Sequence, residues 1–301
     1  MNVTAALYSD RTCLSLTGLR RAEFKNLAES FRLNWEEYAH NRKPDRKRKI
    51  GGGRIGQLGT AEDKLLFALF YLKSYPTYDV LAFIVQFHRT RACQWTLMLL
   101  PILEKTLGRK LVLPDRKISS VEEFLKKFPE AKDVFGDGNE RRIQRPKNQK
   151  RQNKTYSGKK KTHTRKQIVL ADEHKRILVL SPTKSGRRHD KRLADKTGIF
   201  QNLPSNVTAW LDTGFQGVKK DHPNTLIPRK KTRSHPLTEE DKQENKLISS
   251  FRVIVEHAIG GMKRYQSMQH PYRNRKPRLD DLFSLLSAGL WNYHLAFYPK
   301  S

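Results

Sequence analysis

The stretch Lys166-Gln-Ile-Val-Leu-Ala-Asp-Glu-His-Lys-Arg-Ile-Leu-Val-Leu-Ser181 decides the fold class, because it contains two apolar runs typical of β-strands. The polar residues between the runs are typical of a turn. A third strand is predicted at Val207–Leu211, and a weaker first strand at Asp133–Gly136. Two long helices are predicted to follow, at Thr238–Tyr265 and Leu279–Tyr298. Strands followed by helices, with one strand returning between them, predict an α/β fold with a mixed sheet flanked by helices.

The first part of the chain has the apolar spacing of helices instead of strands. Its longest apolar run, Leu65–Leu72, follows a Thr/Asp pair typical of a helix N-terminus. Pro76 ends that helix, and a short helix is predicted at Tyr78–Phe87. A break at residues 88–90 then leads into a longer helix.

Two helices joined by a tight turn are typical of a helix-turn-helix motif. The residues predicted to contact DNA from the start of the second helix are Arg89, Thr90, Arg91 and Gln94. A plain helical hairpin with solvated arginines explains the same segment, and short helix pairs of that kind are common.

These patterns predict three segments. Residues 1–112 form an all-α, DNA-binding domain, residues 113–132 form a connecting segment, and residues 133–301 form the α/β domain. Within the first segment, residues 40–59 are rich in Arg, Lys and Gly and have no apolar periodicity. We predict that they form a basic linker.

The charge of the chain restricts its partners. Sixty Lys and Arg residues against thirty Asp and Glu residues give a formal net charge of +30, most of it after residue 136. Such an excess destabilises a compact chain by self-repulsion unless a polyanion offsets it. Nucleic acid is therefore the expected partner. An RNA-binding alternative has little support, because no RNP-like motif is present and the aromatic content is only 9%.

Other classes of protein are excluded by simple features. No apolar run approaches the roughly 20 residues needed to cross a bilayer, and the N-terminus does not resemble a signal peptide. Cys13 and Cys93 are too few for a disulfide framework or a zinc cluster. No GxxxxGK[ST] stretch suggests a nucleotide cofactor. We expect a cytoplasmic, nucleoid-associated bacterial protein without membrane partners.

A basic run precedes the first predicted strand pair. Residues 141–171 contain no Asp or Glu, and many residues between Arg141 and Lys166 are basic. We predict that Lys159, Lys160, Lys161 and His163 contact DNA from a folded ridge. A solvated charged segment is the usual alternative.

The first long helix at the end of the chain carries a narrow polar stripe. At about 100° per residue, Asn245, Arg252, Glu256 and Lys263 fall within about 40° of one another. This stripe borders the apolar stripe that includes Val255 and Met262, so a carboxylate on it can face a cleft. A surface ion pair between Arg252 and Glu256 is the simpler interpretation.

Two further carboxylates follow predicted strands and precede glycine-containing turns. Asp137 lies in Phe-Gly-Asp-Gly, and Asp212 lies in Trp-Leu-Asp-Thr-Gly. Each could simply cap a turn. Isolated acids in such a basic region also suit a divalent cation, since Mg²⁺ prefers oxygen ligands and shares its shell with substrate phosphates.

At this point the sequence resembles a known family, the DDE transposases of IS5-like insertion sequences and the related Harbinger-type elements. The resemblance runs in order over nearly the whole chain, and the N-terminal segment Tyr71–Thr77 matches the helix-turn-helix part of the family. The pieces that carry the rest are Asp137–Arg141, Gln144–Pro146, Tyr156–Thr164, Gly186–Asp190, Leu211–Gly217 and Arg252–Arg264.

The resemblance implies an RNase H-like catalytic domain in which Asp137, Asp212 and Glu256 are the catalytic and metal-binding acids. It implies two Mg²⁺ ions, for which Mn²⁺ is expected to substitute. Arg252, Lys263 and Arg264 match basic positions of the family and are expected to contact DNA. The pair His189-Asp190 also recurs in the family, and we expect it to begin a helix.

The chain departs from the family pattern at three positions. Asn139 stands where Thr is usual, and Ser249 stands where many relatives carry Tyr. Gly136 precedes the first Asp where an aliphatic residue would make a firmer strand. None of these departures removes a carboxylate.

The predicted function is therefore that of a DNA transposase. It would bind terminal inverted repeats, cleave phosphodiester bonds at the element ends, and join the 3′-OH ends to target double-stranded DNA by two-metal transesterification. Cutting two ends predicts a homodimer or a larger assembly on DNA. The alternative is a catalytically silent, transposase-derived DNA-binding protein, acting as a repressor or an architectural factor.

Overall fold

The computed structural model describes residues 1–45, 56–232 and 236–298. The predicted basic linker at residues 40–59 is only partly described. Its first three residues end a helix, and residues 46–55 lie outside the described part of the chain.

By packing, the chain forms two compact units. The first is helical and contains Met1–Leu113, Lys263–His270 and Leu282–Ser301. The second contains Pro114–Met262 and Pro271–Asp281. The predicted division into residues 1–112, 113–132 and 133–301 has nearly the same first boundary, but packing assigns two C-terminal segments to the helical unit. Periodicity identifies the type of an element and not its packing partner, so the sequence did not indicate this assignment.

The structure describes six helices before residue 113. They are α1 (Val3–Ala6), α2 (Asp10–Thr17), α3 (Arg21–Arg42), α4 (Ala61–Ser74), α5 (Tyr78–Val85) and α6 (Arg89–Arg109). Thr60 and Asp63 form the predicted capping box at the start of α4. Gln86 adopts a left-handed conformation with φ of 57° and ends α5, so that α6 begins three residues later. The predicted pair of helices joined by a tight turn is confirmed.

A buried lysine stabilises the start of α4. The Lys64 ammonium donates hydrogen bonds to the carbonyl oxygens of Leu58, Gly59 and Thr60, at 2.8, 3.1 and 2.9 Å. It also lies 4.7 Å from the centre of the Trp35 ring, within the range of a cation–π interaction. Burial lowers the pKa of this ammonium. Its three backbone acceptors allow the charge to remain buried.

The second unit contains the strands. Its helices are α7 (Val121–Lys127), α8 (Gln149–Thr155), α9 (Asp190–Asp195) and α10 (Glu239–Lys263), the last of which ends at the first residue assigned to the helical unit. Its strands are β1 (Asp133–Arg142), β2 (Tyr156–Ser157), β3 (Thr162–Asp172), β4 (Ile177–Leu180), β5 (Lys184–Ser185), β6 (Thr208–Leu211) and β7 (Thr225–Leu226). Two later helices are α11 (Gln266–Gln269) and α12 (Leu279–Phe297), so both predicted long helices are confirmed to within two residues.

The sheet is mixed. Its order is β2-β3-β1-β6-β7, with β4 and β5 also pairing with β3. Strand β3 is antiparallel to β1, whereas β6 is parallel to β1 and β7 is parallel to β6. Together with the flanking helices and the helical unit, this topology confirms the predicted fold class, an RNase H-like α/β domain and a helix-turn-helix.

The two faces of the sheet have different roles. Alternate residues such as Val134, Ala209 and Leu211 are buried in the hydrophobic core of the α/β unit, which also includes residues of α9. On the other face, Phe135 stacks on Trp210, and the Trp210 ring lies 4.5 Å from that of Phe251 on α10. Helix α10 therefore covers the face to which odd-numbered β1 residues point.

Candidate functional site

Strand register brings the first two predicted acids together. Gly136 on β1 is the register partner of Leu211 on β6, and the two strands are parallel. Asp137 is the next residue of β1, and Asp212 directly follows the end of β6, so they lie on the same face of the sheet, with backbones about 4.8 Å apart. The prediction that Asp137 follows the end of its strand was wrong, because β1 continues through it to Arg142. The long antiparallel pairing with β3 supports this extension.

The glycine before Asp137 has a packing reason. A Cβ atom on Gly136 would lie 2.5 Å from Leu211 Cδ2, closer than real contacts allow. The space of a larger side chain at this position is thus already filled by Leu211 of the neighbouring strand. The departure from the family pattern at Gly136 is consistent with a regular strand, and it does not displace Asp137.

Each aspartate is oriented by the backbone that follows it. Asp137 Oδ1 accepts a hydrogen bond from the Gly138 N–H at 2.7 Å. Asp212 Oδ1 accepts one from the Thr213 N–H at 2.5 Å and one from the Thr213 hydroxyl at 3.1 Å. A short 3₁₀ turn begins at Thr213, directly after Asp212. These contacts limit the rotation of both carboxylates.

The electrostatic environment of Asp137 favours a bound cation. Burial raises the pKa of Asp137, and the negative charges of Asp212 and Asp190 raise it further. The Gly138 N–H and the Arg252 guanidinium act in the opposite direction and do not outweigh burial. A carboxylate that is destabilised by burial and by like charges is stabilised when a cation binds beside it.

Helix α10 supplies an arginine that faces this pair. Arg252 Nη1 lies 3.7 Å from Asp212 Oδ1, and Arg252 Nη2 lies 3.9 Å from Glu256 Oε1. The Arg252 side chain is only 18% exposed, and its Nε atom is buried without a hydrogen-bond partner in the described part of the chain. The predicted proximity of Arg252 and Glu256 on one helix face is present.

Glu256 differs from Asp212 in its exposure to solvent. Its side chain is 57% exposed, whereas that of Asp212 is 21% exposed. Within residues 1–45, 56–232 and 236–298, no three His, Cys, Asp or Glu side chains are arranged to hold a metal ion. Asp137 and Asp212 nevertheless have the chemistry that Mg²⁺ prefers, since both offer oxygen ligands in a negative, mostly buried environment. The residues present therefore fit a divalent cation on the two aspartates, with the more exposed Glu256 beside Arg252.

Sequence reasoning missed another acid, Asp190, that lies beside this pair. Asp190 begins α9, as expected, but its carboxylate also contacts the residues that follow both site aspartates. A Cβ atom on Gly138 would lie 2.5 Å from Asp190 Oδ1, and one on Gly214 would lie 2.8 Å from Asp190 Oδ2. The available signal was a glycine shortly after each predicted catalytic Asp, which indicates close approach of another group.

The predicted DNA-contacting residues of the α/β unit lie mainly on a hairpin. Lys159, Lys160 and Lys161 are exposed in the turn between β2 and β3. His163 is less accessible to DNA than these lysines, because its Nδ1 lies 3.1 Å from Thr155 Oγ1 and its ring contacts that of Tyr156. The basic run is therefore a folded ridge, as predicted, and its lysines project from the tip.

The other predicted DNA-contacting residues belong to the helical unit. Arg89, Thr90, Arg91 and Gln94 are exposed in the first turns of α6. Arg89 Nε lies 3.5 Å from Asp79 Oδ1 on α5. Lys263 and Arg264 are also assigned to this unit, where the Arg264 guanidinium lies 5.9 Å from the centre of the Trp291 ring.

Two family models match this chain. Residues 136–292 match the family model described as DDE superfamily endonuclease, and residues 56–109 match the helix-turn-helix of DDE superfamily endonuclease. This chain belongs to the DDE superfamily of endonucleases. The helix-turn-helix interpretation of α5 and α6 is thereby confirmed over the plain hairpin, and the family implies binding to DNA and use of a divalent metal.

A curated relative of this DDE endonuclease covers almost its full length. It is a probable transposase for insertion sequence element IS702 from Microchaete diplosiphon, with 33% identity over 279 residues, 92% of this chain and 96% of the relative. No solved structure matches the chain. The comparisons support a transposase of the DDE endonuclease type, and the narrower IS5-like assignment stays a prediction. None of the helices described for this DDE endonuclease has the length and apolar character required to span a membrane.

Proposed function

We propose that this DDE endonuclease is a Mg²⁺-dependent transposase that cleaves the ends of an insertion sequence and joins them to target DNA. The observation that carries the proposal is the register of β1 and β6, which aligns Asp137 with Asp212 beside Arg252. Two ions are expected, and Mn²⁺ is expected to substitute. Asp137 and Asp212 are the proposed metal ligands from the sheet.

Glu256 is the proposed third acid. It lies one helical turn beyond Arg252, and its exposed side chain is free to rotate about its χ angles. Turning inward would carry its carboxylate towards Asp212. Substrate phosphate offers a reason for that movement, because it would draw Arg252 away from Glu256.

The chemistry divides between the cations and the side chains. When bound, divalent ions activate water or a 3′-hydroxyl and neutralise charge that develops on the phosphoryl oxygens. Arg252 orients the scissile phosphate through charge-assisted hydrogen bonds. The backbone N–H groups of Gly138 and Thr213 keep the two aspartates in place. Hydrolysis at the element end frees a 3′-OH, which then attacks a target phosphodiester, forms a new P–O bond and displaces the 3′-oxygen of the target strand.

Recognition of DNA is proposed to involve both units. Arg89, Thr90, Arg91 and Gln94 would contact the terminal inverted repeats in a major groove. Lys159, Lys160, Lys161, His163, Lys263 and Arg264 would contact phosphates. Because two ends are cut, the working form is proposed to be a homodimer or larger, acting on DNA in the bacterial nucleoid.

Two observations favour a second candidate, a DNA-binding protein derived from a transposase that no longer cleaves. The exposed position of Glu256 and the lack of a three-residue ligand set among the described side chains are what a silent site would show. Such a protein would keep its affinity for DNA without depending on divalent cations.

End cleavage separates the two candidates. Purified full-length chain is incubated with DNA carrying the element ends, with and without Mg²⁺, and nicked products are counted. The variants Asp212→Asn and Glu256→Gln should lose cleavage and retain DNA binding. Glu240→Gln, an exposed residue of the same helix, is the matched control. Full cleavage by Asp212→Asn or Glu256→Gln would refute the assignment of these acids, and a wild-type chain that binds but never cuts would favour the silent protein.

A further inference from the structure

A nearly buried chain of charges runs beside the candidate site. Lys166 Nζ lies 2.9 Å from Glu140 Oε1 and 3.0 Å from Asp190 Oδ1, and it donates a hydrogen bond to the Arg188 carbonyl at 3.2 Å. The side chains of Lys166 and Glu140 are 8% and 5% exposed, and that of Asp190 is 17% exposed. The ammonium therefore forms ion pairs with two carboxylates that come from different elements of the α/β unit.

The position of Lys166 follows from strand pairing. Glu140 on β1 and Lys166 on β3 are cross-strand register partners, so their ion pair is a direct consequence of the antiparallel ladder. Glu140 is held further by the Thr164 hydroxyl, which donates to Oε2 at 2.9 Å. The sheet thereby presents a fixed positive charge to Asp190, which comes from a separate element, α9.

Asp190 fills a space bounded by two glycines. Gly138 follows Asp137 directly, and Gly214 is two residues beyond Asp212. A Cβ atom on either would lie within 2.8 Å of an Asp190 carboxylate oxygen. Both segments that carry the site aspartates thus contact the two oxygens of one carboxylate, which Lys166 holds in place.

This arrangement exceeds what a helix start requires. His189 is the N-cap of α9 and makes no side-chain capping bond, and the helix has only six residues. The Asp190 carboxylate is directed instead at the sheet and at the turn after Asp212. Its charge also contributes to the raised pKa of Asp137.

We infer that Asp190 is a positioning residue that sets the separation of Asp137 and Asp212 by filling the space between Gly138 and Gly214 while Lys166 holds its carboxylate. The inference rests on the proposed function, since it concerns the acids that would bind the cation. Asp190 acts through its neighbours, and it needs no contact with substrate.

The test measures Mn²⁺ affinity of the full chain by calorimetry, with the melting temperature of each variant measured by circular dichroism. Asp190→Ala removes the carboxylate that fills the space between the two glycines, whereas Asp190→Asn keeps a side chain of the same shape. Removing a group that orients metal ligands typically costs 10- to 100-fold in affinity, so we expect about a tenfold loss for Asp190→Ala and less than about threefold for Asp190→Asn. Asp195→Ala, on the same helix and paired with Lys191, is the control and should bind as the wild type does.

The outcomes are distinct. A folded Asp190→Ala chain with wild-type Mn²⁺ affinity overturns the inference, even if its melting temperature falls, because a purely structural residue changes stability alone. If Asp190→Ala does not fold, Gly214→Ala replaces it, since its methyl would displace the carboxylate from the other side. Unchanged affinity in folded Gly214→Ala would equally overturn the inference. Wild-type binding that is absent, or insensitive to Asp137→Asn, refutes the proposed function, and the inference falls with it.

Discussion

The guanidinium of Arg252 lies 3.7 Å from the carboxylate of Asp212, too far for a hydrogen bond and close enough for strong electrostatic attraction. Arg252 also counteracts part of the rise in the pKa of Asp137 that burial causes, so its charge acts on both aspartates of the pair. The arginine is thus an internal cation beside the proposed cation site.

The first prediction concerns this arginine. In Arg252→Gln, we expect Mn²⁺ to bind about three- to tenfold more tightly, because a competing positive charge near the aspartates is removed. Cleavage of end DNA should nevertheless fall, because the phosphate loses a charged partner. Calorimetry and a nicking assay measure the two effects separately. Arg229→Gln, which removes an exposed ion pair with Asp241, is the control. Weaker Mn²⁺ binding in Arg252→Gln would contradict the prediction.

The second prediction concerns the strand pair beneath the site. Gly136→Ala should lower the free energy of unfolding by about 1–3 kcal/mol, since the added methyl overlaps Leu211 Cδ2. Urea denaturation followed by tryptophan fluorescence measures the change. In the double variant Gly136→Ala/Leu211→Ala, the loss should be smaller than the sum of the two single losses. Gly158→Ala is the control, because a Cβ atom there meets nothing within 4 Å. Additive losses would show that the two residues do not compete for space.

The third prediction concerns pH. The Asp281 carboxylate accepts hydrogen bonds from Arg116 at 2.6 Å and from the N–H and hydroxyl of Thr183 at 2.8 and 2.7 Å. Burial alone would raise its pKa, but Arg116 and Thr183 outweigh burial, and the pKa is lowered.

A carboxyl group with a lowered pKa stabilises the fold at pH values above its unfolded pKa of about 3.9, and this stability is lost as pH falls through the folded pKa. The α/β unit should therefore lose stability below about pH 4. Asp281→Asn should cost about 1–3 kcal/mol at pH 7 and flatten this dependence. Urea midpoints at pH 7 and pH 3 measure both. Equal losses for wild type and Asp281→Asn between these pH values would count against the assignment.

The fourth prediction concerns the exposed hairpin lysines. Each phosphate contact that is lost should reduce the slope of log K against log salt by about 0.9. The triple variant Lys159→Gln/Lys160→Gln/Lys161→Gln should therefore bind DNA more weakly, with a shallower salt dependence. Fluorescence anisotropy from 50 to 300 mM salt, roughly the range in which such slopes are measured, tests this. Lys126→Gln, an exposed lysine of α7, is the control. An unchanged slope in the triple variant would place the DNA elsewhere.

The local patterns predicted the elements well where an element depends on its own residues. The capping box at Thr60 and the two long C-terminal helices were located to within two residues. Strand β1 was predicted too short, because its second half contains Gly138, Asn139 and charged residues, which lack a strand pattern. Pairing with β3 supplies the hydrogen bonds that keep this half extended.

In the candidate site, too, some residues were predicted from sequence and others were found only in the structure. Asp137, Asp212 and Glu256 were named from sequence, whereas the position of Asp190 between Gly138 and Gly214 was not. The sequence did indicate a helix start at His189-Asp190. It could not indicate that this helix directs a carboxylate at two segments of the chain more than 20 residues away on either side.

By itself, the sequence determined the excess of positive charge, the family, the order of helices and strands, and the identity of the acids, because these depend on composition and on spacing along the chain. Only the tertiary structure decided which acids are neighbours. It aligned Asp137 with Asp212 through the β1–β6 register, left Glu256 exposed on α10, and brought Asp190, ion-paired with Lys166, against Gly138 and Gly214. The physical reason is that strand register and helix packing are set by contacts between distant segments, which no local pattern encodes.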